Sequence, residues 1–284
     1  IYAEIVGYGA TSDGADMVAR AMELGLAGIG IADRNTVAGV VRAWKAPRDA
    51  PARAREALLK AKKEKGEPLE LTPAEDASCQ TDLRLLTGAR LVFADGTPDI
   101  VAYPATRRGW GELTKLLTVG NLRSVKGHCI LYYEDLTAYL SDLLLIVLPY
   151  STATEQQASA RPVEYEHENR AHGEMIRQGH LSLVPPPRPH DVESLLTRLS
   201  RLAPNRVWLA AALRRDGRDA RRLAGYMALG ARTGVPLLAT MDVLYASPAQ
   251  RPLQDVLSCI REGAPLAGAG LLLEANAERH VHGP

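Results

Sequence analysis

Two aspartates stand where chemistry could be done. The stretches 22–33 (MELGLAGIGIAD) and 228–242 (ALGARTGVPLLATMD) share one order: helix, glycine, apolar strand, aspartate. That order puts Asp33 and Asp242 at the carboxyl ends of two strands, the edge where α/β barrels build their sites. Carboxylates placed there can hold a divalent cation. Each can equally cap the turn or helix that follows it. A second pattern, Gly7-x-Gly9-x-x-Ser12, follows a predicted strand, precedes a predicted helix and lies one strand before Asp33. It has the outline of a dinucleotide-binding βαβ unit, with an acid for the ribose hydroxyls. Ser12 stands where that fingerprint wants glycine, and Asp16 near the helix start opposes a phosphate; a plain glycine-rich βα turn accounts for the same residues.

The other chemically able side chains are weaker candidates. Among the histidines, His167 and His172 are five apart and do not share a helix face cleanly. His280-x-His282 imitates a metal-binding pair but falls outside any predicted strand and reads as an exposed tail. Cys129 follows His128, and adjacency in sequence does not make a nucleophile and its base. Two basic groups remain. Arg53, Lys60 and Lys63 lie in a helix predicted over 53–65, and Arg218, Arg221 and Arg222 share a face of a later one. Both groups suit contact with a nucleic-acid backbone. Both also read as solvated faces, the second one held by Asp216 and Asp219.

The elements that must position these residues alternate. Strands are predicted at 1–6, 26–32, 85–86, 89–94, 99–103, 143–148, 206–212 and 235–240, and helices at 16–24, 36–44, 109–119, 191–202, 218–233 and from about Pro252. Asp95-Gly96 marks a hairpin between two of the strands. The rhythm gives a mostly parallel α/β architecture, and about seven units over some 250 residues suit a barrel better than an open sheet. A basic helical insertion occupies about 45–80, with Pro47 and Pro51 interrupting its start. A polar, proline-rich irregular connection fills about 151–190.

Composition narrows the classes. The 284 residues are 46% hydrophobic and 24% charged, enough for a sizeable core, and the net charge of +1 excludes a uniformly basic coat. Three scattered cysteines form neither a disulfide framework nor a zinc ribbon, which points to a reducing, cytoplasmic setting. The longest apolar run is strand-sized, so no membrane span is expected. An isoleucine at position 1 and the stop at Pro284 are expected of a piece of a longer chain.

Several ordered segments resemble the bacterial error-prone DNA polymerases of the C family, which includes the replicative alpha subunit. They are YAEI (2–5), GIADRNTVAGVVRA (30–43), GARLVFADG (88–96), LTVGNLRSVKG (117–127), RVWLAAALRRDGRDARRLA (206–224), GVPLLATMDVLYASPAQRPLQDVLSCIREG (234–263) and LEANAERH (273–280). The resemblance implies the N-terminal polymerase-and-histidinol-phosphatase (PHP) domain, a distorted seven-stranded α/β barrel over about 1–250. Residues 251–284 would then lead to a polymerase module. Active members of the family hold a metal cluster at the carboxyl strand ends with histidines and acids. Here the first H-x-H is missing, Asp-His is Asp33-Arg34, a glutamate gives way to Ala89 or Arg90, and Asp-x-His is Asp242-Val243-Leu244.

The resemblance therefore implies a metal-free remnant built on Asp33, Arg34, Arg90 and Asp242, with guanidinium charge in place of the metals. The expected pairs are Asp33–Arg90 or Asp242–Arg34. If any metal is held, Asp33 and Asp242 would hold it. The domain itself would be structural, without catalytic residues or cofactor. The parent would carry Mg²⁺ and perform template-directed, translesion synthesis in DNA replication and repair, meeting DNA and accessory translesion proteins. The alternatives are a metal-dependent phosphoesterase centred on Asp33 and Asp242, and a dinucleotide-binding protein built on Gly7, Gly9 and Asp33.

Overall fold

The computed structural model describes residues 14–80, 82–149 and 191–283. The strand expected at 1–6, the Gly7-x-Gly9-x-x-Ser12 pattern and the whole 151–190 connection lie outside the described residues. Six strands form one sheet in sequence order: β1 (Gly28–Arg34), β2 (Arg84–Leu91), β3 (Ile100–Pro104), β4 (Leu143–Val147), β5 (Val207–Ala212) and β6 (Leu237–Thr240). β1 and β2 are parallel, as are β4, β5 and β6, while β3 runs against both of its neighbours. The sheet is mixed because the β2–β3 connection is a hairpin, closed around Gly96 at φ 79. The α/β class expected from the strand–helix rhythm is present with six strands described.

The helices follow the apolar periodicity. α1 (Gly14–Glu23) buries Met17, Val18 and Ala21. α4 (Arg107–Leu122) buries Leu113, Leu116 and Leu117, with the Thr106 hydroxyl accepting from the Gly109 N–H as its N-cap. α6 (Val192–Leu202) buries Leu195, Leu196 and Leu199. The buried residues of α4, α6 and the short α5 (Tyr133–Ala138) cover one face of β2–β5 and form the main core. A second cluster joins α1 and β1 to Val243, Ala246 and Val281. The 251–284 stretch thus packs back onto the domain, Val281 being fully buried.

Pro47 and Pro51 do not interrupt a helix as expected. α2 runs unbroken over Val40–Lys65 and contains both. The two prolines are four apart, so their missing donors fall on one side of the helix and the remaining hydrogen bonds carry it through. The basic half is fastened to α3 (Pro73–Ser78), where Arg55 holds Asp76 at 2.5 Å and Lys62 holds Glu75 at 2.9 Å. The last two helices are α7 (Asp219–Thr233) and α8 (Arg251–Glu262). α8 is turned inside out: Gln254 and Ser258 are buried, whereas Leu253, Val256, Leu257 and Ile260 face outward. No helix among the described residues is long and apolar enough to cross a membrane.

At Gly88 on β2 an added Cβ would lie 2.5 Å from the Ala102 carbonyl and 2.6 Å from the Tyr103 ring on β3. Gly88→Ala should lower the stability in urea unfolding by about 1–3 kcal/mol, the usual cost of forcing extra volume into a packed layer.

Candidate functional site

The carboxyl ends of the strands gather an alternating set of charges. Asp242 lies just past β6 with φ 49, a left-handed backbone that aspartate tolerates better than most residues. Its side chain is 3% exposed. Oδ2 accepts from Arg279 Nη2 at 2.7 Å, and Arg279 Nε donates to the Asp242 main-chain carbonyl at 2.8 Å. Arg90 Nη1 lies 3.6 Å from Oδ1 and Arg214 Nη2 lies 3.8 Å from Oδ2. Arg90 also donates Nε to Asp99 at 2.7 Å, and Arg279 Nη1 pairs with Glu274.

The set is charge-balanced: Asp99, Asp242 and Glu274 against Arg90, Arg214 and Arg279. It links β2, the turn before β3, the segments after β5 and β6, and the final stretch of the chain. Such burial is tolerable only because every charge has an opposite neighbour. Burial pushes the Asp242 carboxyl up, but the guanidinia of Arg279, Arg90 and Arg214 together outweigh it and hold it below the ordinary carboxylate range.

Asp33 belongs to a separate contact. Its Oδ2 accepts from the Gly39 N–H at 2.7 Å across the β1–α2 turn. A Cβ at position 39 would overlap that carboxylate, so the turn needs glycine there. Burial pushes the Asp33 carboxyl up, and the Gly39 N–H opposes it. Asp33 therefore acts as the turn-capping group, one of the two roles its position allows.

The pairing expected across the rim is corrected. On adjacent strands Asp33 stands opposite Ala89, and Arg90 stands opposite Arg34. Cross-strand partners share a face and successive residues alternate, so Asp33 and Arg90 point to opposite faces of the sheet. Arg90 turns to Asp99 and Asp242 instead. The guanidinia around Asp242 come from Arg279, Arg90 and Arg214, and the expected partner Arg34 is not among these three. Sequence reasoning missed Arg279 as a site residue. It arrives from 37 residues away, because Leu244 N–H donates to the Arg279 carbonyl and Tyr245 bridges His280. No local signal marks it beyond a charge beside Val281. Asn35 was missed too: it closes the β1 end through Val92 N–H to its Oδ1 and its own amide to the Val92 and Cys129 carbonyls.

The basic residues sort by exposure. On α2, Arg53, Lys60 and Lys63 are exposed, with Arg53 3.8 Å from Asp49. Arg218, Arg221 and Arg222 line a shallow cavity of about 760 Å³ between α6 and α7. Arg222 is tied to Asp216 and Asp219, which matches the solvated-face reading for that residue. Cys129 is no nucleophile, since burial pushes its thiol up to about 11. His280 and His282 are not an exposed tail. Both are half-buried, with Val281 fully buried between them.

No protein-family model matches the chain. It is 43% identical over 269 residues to error-prone DNA polymerase 1 of Rhizobium meliloti, covering 95% of this chain and 18% of that protein. It is 37% identical over 271 residues to the error-prone DNA polymerase of Caulobacter vibrioides, covering 95% and 19%. The enzyme of Brucella abortus gives 38% over 273 residues, again 95% and 19%. The chain is homologous to a region of these polymerases and spans about a fifth of their length. Among solved structures, a protein described as a metal-dependent phosphoesterase of Bifidobacterium adolescentis covers 92% of this chain and 84% of its own. It has 17% identity and a TM-score of 0.28, at which the likeness decides nothing about the fold.

Because the Asp242 carboxyl is held below its unfolded value, its contribution to stability is full above about pH 4 and fades as pH falls through the folded value. Asp242→Asn should cost about 3–5 kcal/mol at pH 7, where it leaves buried guanidinia short of a charge. Urea titrations of both proteins should show this gap narrowing below pH 4.

Proposed function

We infer that this chain is the PHP-like N-terminal domain of an error-prone DNA polymerase, and that it serves as a structural module without hydrolase activity of its own. The homology to the error-prone polymerases supports the first half. The second half rests on one observation: three guanidinia surround the buried Asp242. A PHP metal cluster needs imidazoles and acids converging with positions open for substrate oxygens. Here the carboxylate that would contribute is hydrogen-bonded to Arg279 and flanked by Arg90 and Arg214 within 4 Å, and Asp33 caps its own turn on the other face. A divalent cation would have to displace arginines that balance the network. The residues present do not fit the cluster, and no hydrolytic step is assigned to them.

On this reading residues 1–250 form a distorted seven-stranded barrel, and 251–284 lead toward the polymerase module. The rest of the parent supplies template-directed synthesis, with Mg²⁺ held by aspartates outside this chain. It would work in the cytoplasm, in replication and translesion repair, with accessory partners. The exposed Arg53, Lys60 and Lys63 are the candidate contacts to the DNA backbone, together with Arg218 and Arg221. Arg222 is already engaged by two aspartates and is the weakest of that group.

Two measurements test this. Release of p-nitrophenol from its phosphate ester, and of a mismatched 3′ nucleotide from a primer, should stay at background with Mg²⁺, Mn²⁺ or Zn²⁺. A metal-dependent rate abolished by Asp33→Asn would overturn the structural assignment. In the full-length polymerase, reversing Arg53, Lys60 and Lys63 to glutamate should weaken DNA binding and flatten its salt dependence by about one unit of slope per lost phosphate contact. An unchanged slope would remove α2 from the DNA surface.

A further inference from the structure

The final segment carries a pattern that the rim does not use. Along 278–282 the residues alternate: Arg279 and Val281 are buried, while Glu278, His280 and His282 are half-buried on the other side. The segment is held in place by the Tyr245–His280 bridge, by the Leu244 N–H bond to the Arg279 carbonyl and by the Arg279–Asp242 pair. One donor atom from each of Glu278, His280 and His282 lies within 4.8 Å of the others. The two rings sit 3.9 Å apart.

The hydrogen bonds of the rings supply an independent observation. His280 Nδ1 is 3.0 Å from the Val281 carbonyl and His282 Nε2 is 2.9 Å from the Glu278 carbonyl. A carbonyl only accepts, so each of these nitrogens carries the proton. His280 Nε2 and His282 Nδ1 are left with the lone pairs. Backbone carbonyls that fix the tautomer in this way are the usual outer shell of metal-bound histidine. Glu278 is held in place by Arg215 at 2.6 Å, through Oε2, and its Oε1 is not part of that bond.

We propose that Glu278, His280 and His282 form a binding site for one late first-row divalent cation, such as Zn²⁺ or Ni²⁺. Two imidazoles and one carboxylate suit these ions, whereas Mg²⁺ demands an oxygen shell. Water would complete the coordination of the ion. Two cationic groups bear on the site, Arg215 on Glu278 and Arg20 near His280. They set the affinity by competing with the ion. The site lies on the face of the segment opposite Arg279 and is distinct from the rim around Asp242.

The test is calorimetric titration of the chain with Zn²⁺, Ni²⁺ and Mg²⁺, with circular dichroism to verify folding. One Zn²⁺ or Ni²⁺ per chain should bind, and Mg²⁺ should not. His282→Ala, the less demanding variant, should weaken binding at least tenfold while the fold is kept. His280→Ala should do the same, and Arg215→Gln should tighten it. Absence of saturable binding overturns the proposal. So does binding that survives His282→Ala in a folded protein, or binding lost in Asp33→Asn, which would place the ion at the rim.

Discussion

The structure depends on the buried carboxylate of Asp242 and the guanidinia of Arg279, Arg90 and Arg214 that surround it. An aspartate this deep in the protein would be neutral or unstable alone. Its ionised form is held because charges of opposite sign converge on it from parts of the chain far apart in sequence. Arg90 reaches onward to Asp99, and Arg279 to Glu274. The network therefore fixes the ends of β2, β5 and β6, and it fastens the final stretch of the chain over them. A pair of this kind is weak evidence for net stability against an apolar replacement. It is strong evidence for one arrangement, since removing any member strands its partners.

This arrangement shows one way in which a carboxylate at a strand end can be balanced. Strand ends bring carboxylates together, and the mutual repulsion must be relieved by a cation. A bound metal does so while leaving positions open for chemistry. Arginine does so with a fixed guanidinium: Arg279 donates to one oxygen of Asp242, and Arg90 stands 3.6 Å from the other. Asp33 shows a second way to retire a rim carboxylate: its oxygen accepts from Gly39 and organises a turn.

Much of the fold was legible in the sequence. The strands ending at Asp33 and before Asp242, the helices over 107–122, 192–202 and 219–233, and the hairpin at Gly96 all follow from local apolar periodicity and turn chemistry. The helix through Pro47 and Pro51 did not, because local rules treat each proline as a break while the rest of the ladder outvotes two same-side losses. The pairing of the rim charges was not legible either. Whether Arg90 meets Asp33 or Asp242 depends on a parity set by the β1–β2 register, which no residue announces. Arg279 was hidden, and His280 read as an exposed tail, for a related reason. Their segment becomes strand-like only through its bridge to Tyr245, and a period-two pattern with a single apolar member is too faint to read alone.

The backbone at Asp242 has a consequence for how its position is interpreted. With φ at 49, it favours glycine, asparagine and aspartate over the other side chains. The surrounding guanidinia then select the one of those three that is charged. Two filters, one steric and one electrostatic, act independently and arrive at the same residue. Invariance at this position among relatives would therefore follow from folding alone, and an unchanging acid at the end of this strand would be a signature of architecture.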